Sequence, residues 1–266
     1  MNLEGRVALI TGSTGGGFGR SIALSLAREG ADIVLNYGTH STDREPGLKV
    51  ARAIREMGRH ALLVKADTAK PADVKRMVAA AQKRFGRLDI LVNNAGGPWK
   101  PQPLNDVEPD HWQNVMDAEV NGAFYCIKHA LPLMRKRKWG RIINIGWWEA
   151  EPWRKPPMDY SIGKAARHLI AEKLATAEIK NGITINNIAP GAIPHIGLDE
   201  AASAALQGHP DPDRSGERAA RDPAKRPKRQ NASPGDIAEI AVWLCSDAAR
   251  FASGGTLWVL GREATA

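Results

Sequence analysis

Seven short runs rich in Val, Ile and Leu recur along the chain, at Arg6–Thr11, Ala31–Tyr37, His60–Ala66, Leu88–Asn93, Arg141–Ile145, Ile183–Ile188 and Thr256–Leu260. Amphipathic helical stretches lie between them, and this alternation constrains the fold more than any other feature. Val74, Met77, Val78, Ala81 and Phe85 follow a helical stripe, as do Val120, Ala123, Phe124, Ile127 and Leu131, and Ile237, Ile240, Ala241 and Leu244. Strands that are apolar along nearly their whole length must be covered on both faces, which requires a parallel sheet flanked by helices. Right-handed crossovers then leave an α/β Rossmann-like doubly wound parallel sheet of about seven strands as the simplest topology. With 266 residues, 43% of them apolar, the chain can bury one large core, and residues 1–266 read as a single domain.

One stretch departs from the alternation. Residues 192–233 are rich in Pro, Gly, Asp and basic side chains, with a short helical stretch near Leu198–Leu206. Such an insertion after the sixth strand lies at the edge where open α/β sheets bind ligands, so a substrate lid is expected there. The net charge of +8 is concentrated at Arg135, Lys136, Arg137, Lys138 and Arg141, read as a solvated helix end, and between Arg214 and Arg229. The second cluster offers a surface for an acidic partner, but no nucleic-acid motif accompanies it and nucleic acid is not an expected partner. No apolar run is long enough for a membrane span, and no long apolar stretch follows Met1, so neither membrane nor signal peptide is expected. Two cysteines, Cys126 and Cys245, provide neither a disulfide framework nor a metal cluster; a cytoplasmic location without metal is the expectation.

The first strand runs into Thr11-Gly12-Ser13-Thr14-Gly15-Gly16-Gly17-Phe18-Gly19 and then a helix carrying Ile22 and Leu26. A glycine-rich strand-to-helix turn lets backbone N–H groups and a helix N-terminus approach a pyrophosphate. At the end of the second strand, where a carboxylate would hold a ribose 2′-hydroxyl, stand Asn36, Tyr37, Gly38, Thr39 and His40. With no carboxylate to repel a 2′-phosphate, and with Thr39, His40 and Ser41 able to donate to one, NADP(H) is favoured over NAD(H).

Three more motifs follow in order: Asn93-Asn94-Ala95-Gly96 after the fourth strand, Tyr160-Ser161-Ile162-Gly163-Lys164 opening a helix, and Pro190-Gly191 after the sixth strand. Together with the glycine turn, they resemble the short-chain dehydrogenase/reductase family, in particular its 3-oxoacyl-acyl-carrier-protein reductases, over about residues 3 to 261. The resemblance implies that Asp67 and Thr68 flank an adenine. It implies further that Asn93, Ala95, Gly96, Ile145, Pro190 and Gly191 line the cofactor, and that Ile193 meets the nicotinamide carboxamide. It also implies a homotetramer or homodimer formed through the long helices. The phosphate loop departs from the family pattern, since four residues, Ser13 to Gly16, separate Gly12 from Gly17 where three are usual.

Tyr160 and Lys164 are four residues apart, so a helix brings them to one face. A free phenol, with a pKa of about 10, is a poor acid or base near neutrality, and a neighbouring ammonium stabilises its phenolate. By resemblance Tyr160 is the acid/base, and Lys164 its modulator and a ribose ligand. Two expected partners are absent. Thirteen residues before Tyr160, the family's carbonyl-binding serine is replaced by Trp147, and five before Phe124, its asparagine is replaced by Glu119. Asn121 lies two residues beyond, rotated by about 200° on a helix. An indole donates one hydrogen bond and accepts none, so Trp147 replaces the serine as a donor, leaves polarisation to Tyr160 alone, or closes the ordinary ketone pocket.

Of eight tryptophans, Trp99, Trp147, Trp148 and Trp153 fall in segments that border the substrate by resemblance, with Glu149 and Glu151 interleaved. An aromatic wall suits a large flat substrate or a cation. Trp112, Trp139, Trp243 and Trp258 read as core or interface residues. The functional expectation is an NADP(H)-dependent oxidoreductase acting on a bulky or aromatic carbonyl or its alcohol. The alternatives are an imine reductase, or a non-redox lyase, cyclase or cofactor-binding protein on the same scaffold.

Overall fold

In the computed structural model, residues 3–38, 44–147, 157–191, 193, 196–207 and 232–259 are described. Seven strands form one sheet in the order β3-β2-β1-β4-β5-β6-β7, and every neighbouring pair is parallel. They are β1 (Val7–Ile10), β2 (Asp32–Tyr37), β3 (Ala61–Lys65), β4 (Ile90–Asn93), β5 (Gly140–Ile145), β6 (Ile183–Pro190) and β7 (Thr256–Val259). The helices are α1 (Phe18–Arg28), α2 (Glu45–Glu56), α3 (Pro71–Phe85), α4 (Pro109–Met116), α5 (Gly122–Arg137), α6 (Met158–Glu178), α7 (Leu198–Gln207) and α8 (Pro234–Cys245).

Side-chain alternation along the strands divides the core into two layers. Ala8, Ile10, Ile33 and Leu35 face one way, against Ile22 and Leu26 of α1 and Ile237 and Ala241 of α8. Leu9, Val34 and Leu91 face the other way, against Val74 and Met77 of α3 and Ile127 and Leu131 of α5. The expected doubly wound sheet is therefore present, and chain order reverses between β1 and β4. At such a switch point the loops diverge and leave a crevice at the strands' C-terminal ends.

Several expectations change in detail. β6 runs on through Pro190, which pairs with Val259, so Pro190 ends the strand rather than following it. A proline is tolerated there because the terminal position demands no ladder donor. Phe124 departs from its stripe and is 48% exposed, and of the core or interface alternatives for Trp243 and Trp258 their exposures of 40% and 55% leave the interface. Arg141 is no solvated helix-end charge. It is buried, with its guanidinium 4.3 Å from the Trp139 ring centroid, and Arg6 lies 3.8 Å from the same centroid. Burial holds the pKa of Arg141 below its ordinary value. Within the proposed lid, α7 packs on α1 through buried Ala201 and Ala205, and Arg28 donates to the Ala205 carbonyl at 3.2 Å. Residues 208–231, including the basic cluster Arg214–Arg229, lie outside the described residues.

Candidate active site

The loop after β1 is tied down from both sides. Thr11 Oγ1 accepts from the N–H groups of Asn94 and Ala95, at 2.9 and 3.0 Å, and Asn94 Nδ2 donates to the carbonyls of Thr11 and Gly12. Across the loop, Asn36 Oδ1 accepts from the Gly12 N–H at 3.0 Å, and Ser13 Oγ accepts from the Asn36 N–H at 3.1 Å. Gly12 adopts a φ of +61°, which suits glycine. Asn36 and Tyr37, expected to meet the cofactor, are both buried, and the Asn36 amide donates inward to the carbonyls of Tyr37 and Ala66. In this geometry Asn36 braces the loop.

Beyond the loop, α1 starts at Phe18 with Gly17 as N-cap, no side-chain cap and no acidic residue in its first turn. Its first N–H groups are thus left for a ligand. Gly17, Phe18, Gly96, Ile145, Tyr160, Lys164, Pro190, Gly191 and Ile193 line one cleft of about 450 Å³, together with Trp99 and Trp147. Asn93 sits behind this lining, donating to Asn144 Oδ1 at 2.9 Å. Asn144 in turn donates to Asn187 Oδ1, and Asn187 to Thr256 Oγ1, so a buried amide chain crosses β4, β5, β6 and β7. Asp67 is half-buried after β3 and accepts from the Ala69 N–H, while Thr68 packs where a Cβ at Gly122 would fall.

The chemical groups converge on α6. Lys164 Nζ lies 5.1 Å from the Tyr160 ring centroid and donates to the Ile145 carbonyl at 3.3 Å. It also lies 3.1 Å from Glu119 Oε2. Glu119 comes from a π-helical turn, Asp117–Asn121, set between α4 and α5. Such wide turns re-aim side chains and are frequent at functional sites. The turn buries Glu119, whereas Asn121 donates back to Asp117 Oδ1 at 2.6 Å, so Glu119 holds the asparagine position. The Glu119 carboxylate also accepts from the Gly97 N–H at 2.7 Å. Glycines give it room: a Cβ at Gly96 would fall 2.6 Å from Glu119 Oε1, and one at Gly163 would fall 2.6 Å from Glu119 Cβ.

A second cation completes this group. Arg167 is 1% exposed, and its Nη2 lies 2.9 Å from Glu119 Oε2. Sequence reasoning missed it, although Tyr160, Lys164 and Arg167 stand at i, i+4 and i+7 on one helical face. Burial drives the Lys164 pKa from 10.5 down to about 8, partly offset by Glu119. Burial pushes Glu119 upward, but Arg167 and then Lys164 more than compensate, and its pKa is lowered overall. His168 is driven to about 4 by burial and by Lys164 and Arg167, so it is neutral near pH 7.

Three aromatic rings close the cleft over this charge group. Trp99 meets Tyr160 edge-on at 4.9 Å between centroids and Trp147 at 5.3 Å, and Trp147 lies 6.2 Å from Tyr160. Trp147 thus stands beside the acid/base candidate, where the serine was expected. Trp148, Trp153, Glu149 and Glu151, and the candidate 2′-phosphate donors Thr39, His40 and Ser41, lie outside the described residues. Among the described residues no cluster of His, Cys, Asp or Glu could hold a metal, and no helix is long and apolar enough to cross a membrane.

A parallel sheet of this order, with a glycine-bordered cleft at its switch point, defines a Rossmann-type α/β protein. The family model described as enoyl-(acyl carrier protein) reductase matches residues 13–261. Among curated proteins, the chain is 33% identical to the short chain dehydrogenase/reductase astE of Aspergillus oryzae, covering 97% of this chain and 95% of that one. It is 33% identical to the D-beta-hydroxybutyrate dehydrogenase of Cupriavidus necator (96% of each chain) and 30% identical to glucose 1-dehydrogenase 2 of Bacillus subtilis (98% and 95%). A crystal structure provisionally assigned as a short-chain alcohol dehydrogenase of Sinorhizobium meliloti superposes with a TM-score of 0.77 at 28% identity, covering 97% and 95%. The chain belongs to the short-chain dehydrogenase/reductase family, whose members use nicotinamide cofactors.

Proposed function

We propose that the chain is an NADP(H)-dependent oxidoreductase that interconverts a bulky or aromatic ketone and its alcohol. The observation that carries this reading is the placement of Lys164 Nζ 5.1 Å from the Tyr160 ring, in the same cleft as the uncapped start of α1. The residues present fit a dinucleotide: the α1 N-terminus would take the pyrophosphate, Gly96 and Ile145 would border the nicotinamide half, and Lys164 would reach the ribose. When bound, the nicotinamide supplies the hydride in reduction and accepts it in oxidation.

In reduction, the carbonyl carbon gains the hydride while Tyr160 gives its hydroxyl proton to the carbonyl oxygen, leaving an alcohol and a phenolate. Lys164 stabilises that phenolate until a solvent proton restores the phenol. In oxidation the phenolate takes the hydroxyl proton instead. Trp147 takes the serine's place with a single N–H donor and a broad apolar face. Together with Trp99 it favours a flat substrate and leaves less room for the family's smaller ketoacyl groups. The net positive charge of Lys164, Arg167 and Glu119 disfavours a cationic iminium, which ranks the ketone above the imine.

NADP(H) is supported by the absence of a carboxylate at the end of β2, where Asn36, Tyr37 and Gly38 stand. A homodimer or homotetramer is supported by an apolar groove between α5 and α6. Phe124 and Leu169 are half-exposed there, above Leu131, Ile170 and Leu174. Residues 192–233 would form the lid, Arg214–Arg229 a site for an acidic partner, and the cytoplasm the location.

Titration with NADPH and NADH, followed by nicotinamide fluorescence, tests the cofactor. NADPH is expected to bind at least about tenfold more tightly, and binding of neither would leave only a non-redox function. NADPH oxidation with aryl ketones tests the chemistry, with Tyr160→Phe expected to lose about 10²–10⁴ in kcat/KM.

A further inference from the structure

We propose that Arg167 is a positioning residue of the acid/base centre: it shares the Glu119 carboxylate with Lys164 and keeps the buried group at one net positive charge beneath Tyr160. This inference rests on the assignment of Tyr160 and Lys164 as the acid/base pair.

Arg167 lies behind the cleft and is not among its lining residues. Its donors are spent on the walls of the site instead. Nε donates to the Glu119 carbonyl at 2.6 Å, Nη1 to the carbonyls of Asn93 and Ile145 at 3.2 and 3.4 Å, and Nη2 to those of Ala95 and Ala118. One guanidinium therefore fastens the π-helical turn to the ends of β4 and β5. Lys164 donates to the same Ile145 carbonyl, so the two cations share both a carbonyl and a carboxylate.

The charge arithmetic explains why both cations are needed. A buried Glu119 facing Lys164 alone would cancel the ammonium, and a neutral pair would do little for a phenolate. Arg167 restores the balance to two positive charges and one negative. The other ionisable groups facing the site do not change that sum between variants. His168 of α6, with its pKa driven down to about 4 by burial, is neutral near pH 7, and Cys126 of α5 is kept as a thiol by burial, with its pKa pushed up to about 12. Asp159 of α6 accepts from the Tyr160 N–H at 2.8 Å and lies 3.1 Å from His111 Nε2 of α4, and both remain in every variant. Gly96 and Gly163 make room for the carboxylate, so Glu119 is accommodated by the fold at two positions and not merely tolerated.

The test is a titration of the Tyr160 phenolate by ultraviolet difference absorbance in the full-length protein, with Tyr160→Phe in each background as the blank. No substrate is required. Glu119→Gln is expected to lower the midpoint by up to about one pH unit, because a negative charge is removed from beneath the phenol, the shift being moderated by the easier loss of the Lys164 proton once Glu119 no longer supports it. Arg167→Met is expected to raise it by about one unit, and the double variant to return close to the parent. A brace that served only packing would not move the midpoint in opposite directions, nor be corrected by a second loss. Where Arg167→Met fails to fold, Glu119→Gln decides alone, and an unchanged or raised midpoint overturns the proposal. The pH dependence of aryl-alcohol oxidation should shift in parallel. If Tyr160→Phe keeps full activity, the acid/base assignment falls; if it is inactive but the opposed midpoint shifts are absent, only the role of Arg167 falls.

Discussion

Replacing Lys164 with Met should make the protein more stable while removing most of its activity. Lys164 is 4% exposed, and its pKa falls from 10.5 to about 8, with burial as the largest cause and Glu119 opposing it. A depressed lysine pKa means that the folded state holds the charged form less favourably than the unfolded chain does. At about 1.4 kcal/mol per pH unit, the cost of keeping Lys164 charged is on the order of 3 kcal/mol. That cost is borne in full below about pH 8, where both states are protonated. It shrinks between about pH 8 and 10.5, where the folded state sheds the proton and the unfolded chain keeps it, and it is gone above. Methionine has a similar length and no charge, Glu119 keeps Arg167 at 2.9 Å, and the Ile145 carbonyl keeps the Arg167 donor. Urea denaturation at pH 7 should therefore show Lys164→Met more stable by about 1–3 kcal/mol, with the gain fading as the pH approaches 10.5. Turnover should fall by about 10²-fold or more, because the phenolate loses its nearest cation. A variant less stable than the parent by more than about 1 kcal/mol at pH 7 would show that the ion pair with Glu119 outweighs desolvation, and the reasoning would fail.

Gly163→Ala would place a Cβ 2.6 Å from Glu119 Cβ and 3.0 Å from Cγ. Overpacking of this kind costs about 1–3 kcal/mol, against a helix-propensity gain of about 1, so a lower urea midpoint and a displaced Glu119 are expected. Trp147→Ser removes a ring that contacts both Trp99 and Tyr160. KM for flat aryl ketones should rise while turnover of short β-ketoesters appears or increases; steady-state assays on both classes would detect the exchange, and an unchanged preference would remove Trp147 from the specificity determinants. Leu169→Asp, in the apolar groove between α5 and α6, should shift sedimentation towards monomer if that face joins subunits, without altering the far-ultraviolet dichroism.

The sheet was legible because its strands are buried on both faces and therefore apolar almost throughout: Val7–Ile10 and Ile90–Val92 are fully enclosed. The glycine turn, Tyr160 and Lys164 were legible because backbone approach to a ligand and a shared helical face each demand fixed spacings. Asn36 falls in the expected loop, but its bracing of Gly12 was not legible, since sequence shows which residues follow a strand and not which way an amide turns. Arg141 was read as a surface charge because its neighbours Arg135, Lys136 and Arg137 are basic; only the fold reveals that Trp139 stacks its guanidinium inside. Arg167 was missed because a lone arginine among Ala166, His168 and Leu169 resembles a helix surface residue, and its partner lies on another element 48 positions away.

Glu119 and Trp147 looked in sequence like two separate losses from a catalytic set, but their structural contexts differ. Glu119 is compensated: two glycines clear its path, a π-helical turn aims it, and Arg167 balances its charge, so Lys164 still presents a net positive field to Tyr160. A carboxylate that had merely drifted into the asparagine position would leave a buried charge with one cation cancelled against it, and the cost of that arrangement would fall on the acid/base pair. Trp147 meets Trp99 and Tyr160 at the cleft wall, where on the proposed function it would alter what can enter. On the proposed function, the first difference would preserve the chemistry by different means, and the second would change the substrate. On that division, restoring a serine at position 147 should alter selectivity between ketones, whereas altering position 119 or 167 should alter the pH at which any ketone is turned over.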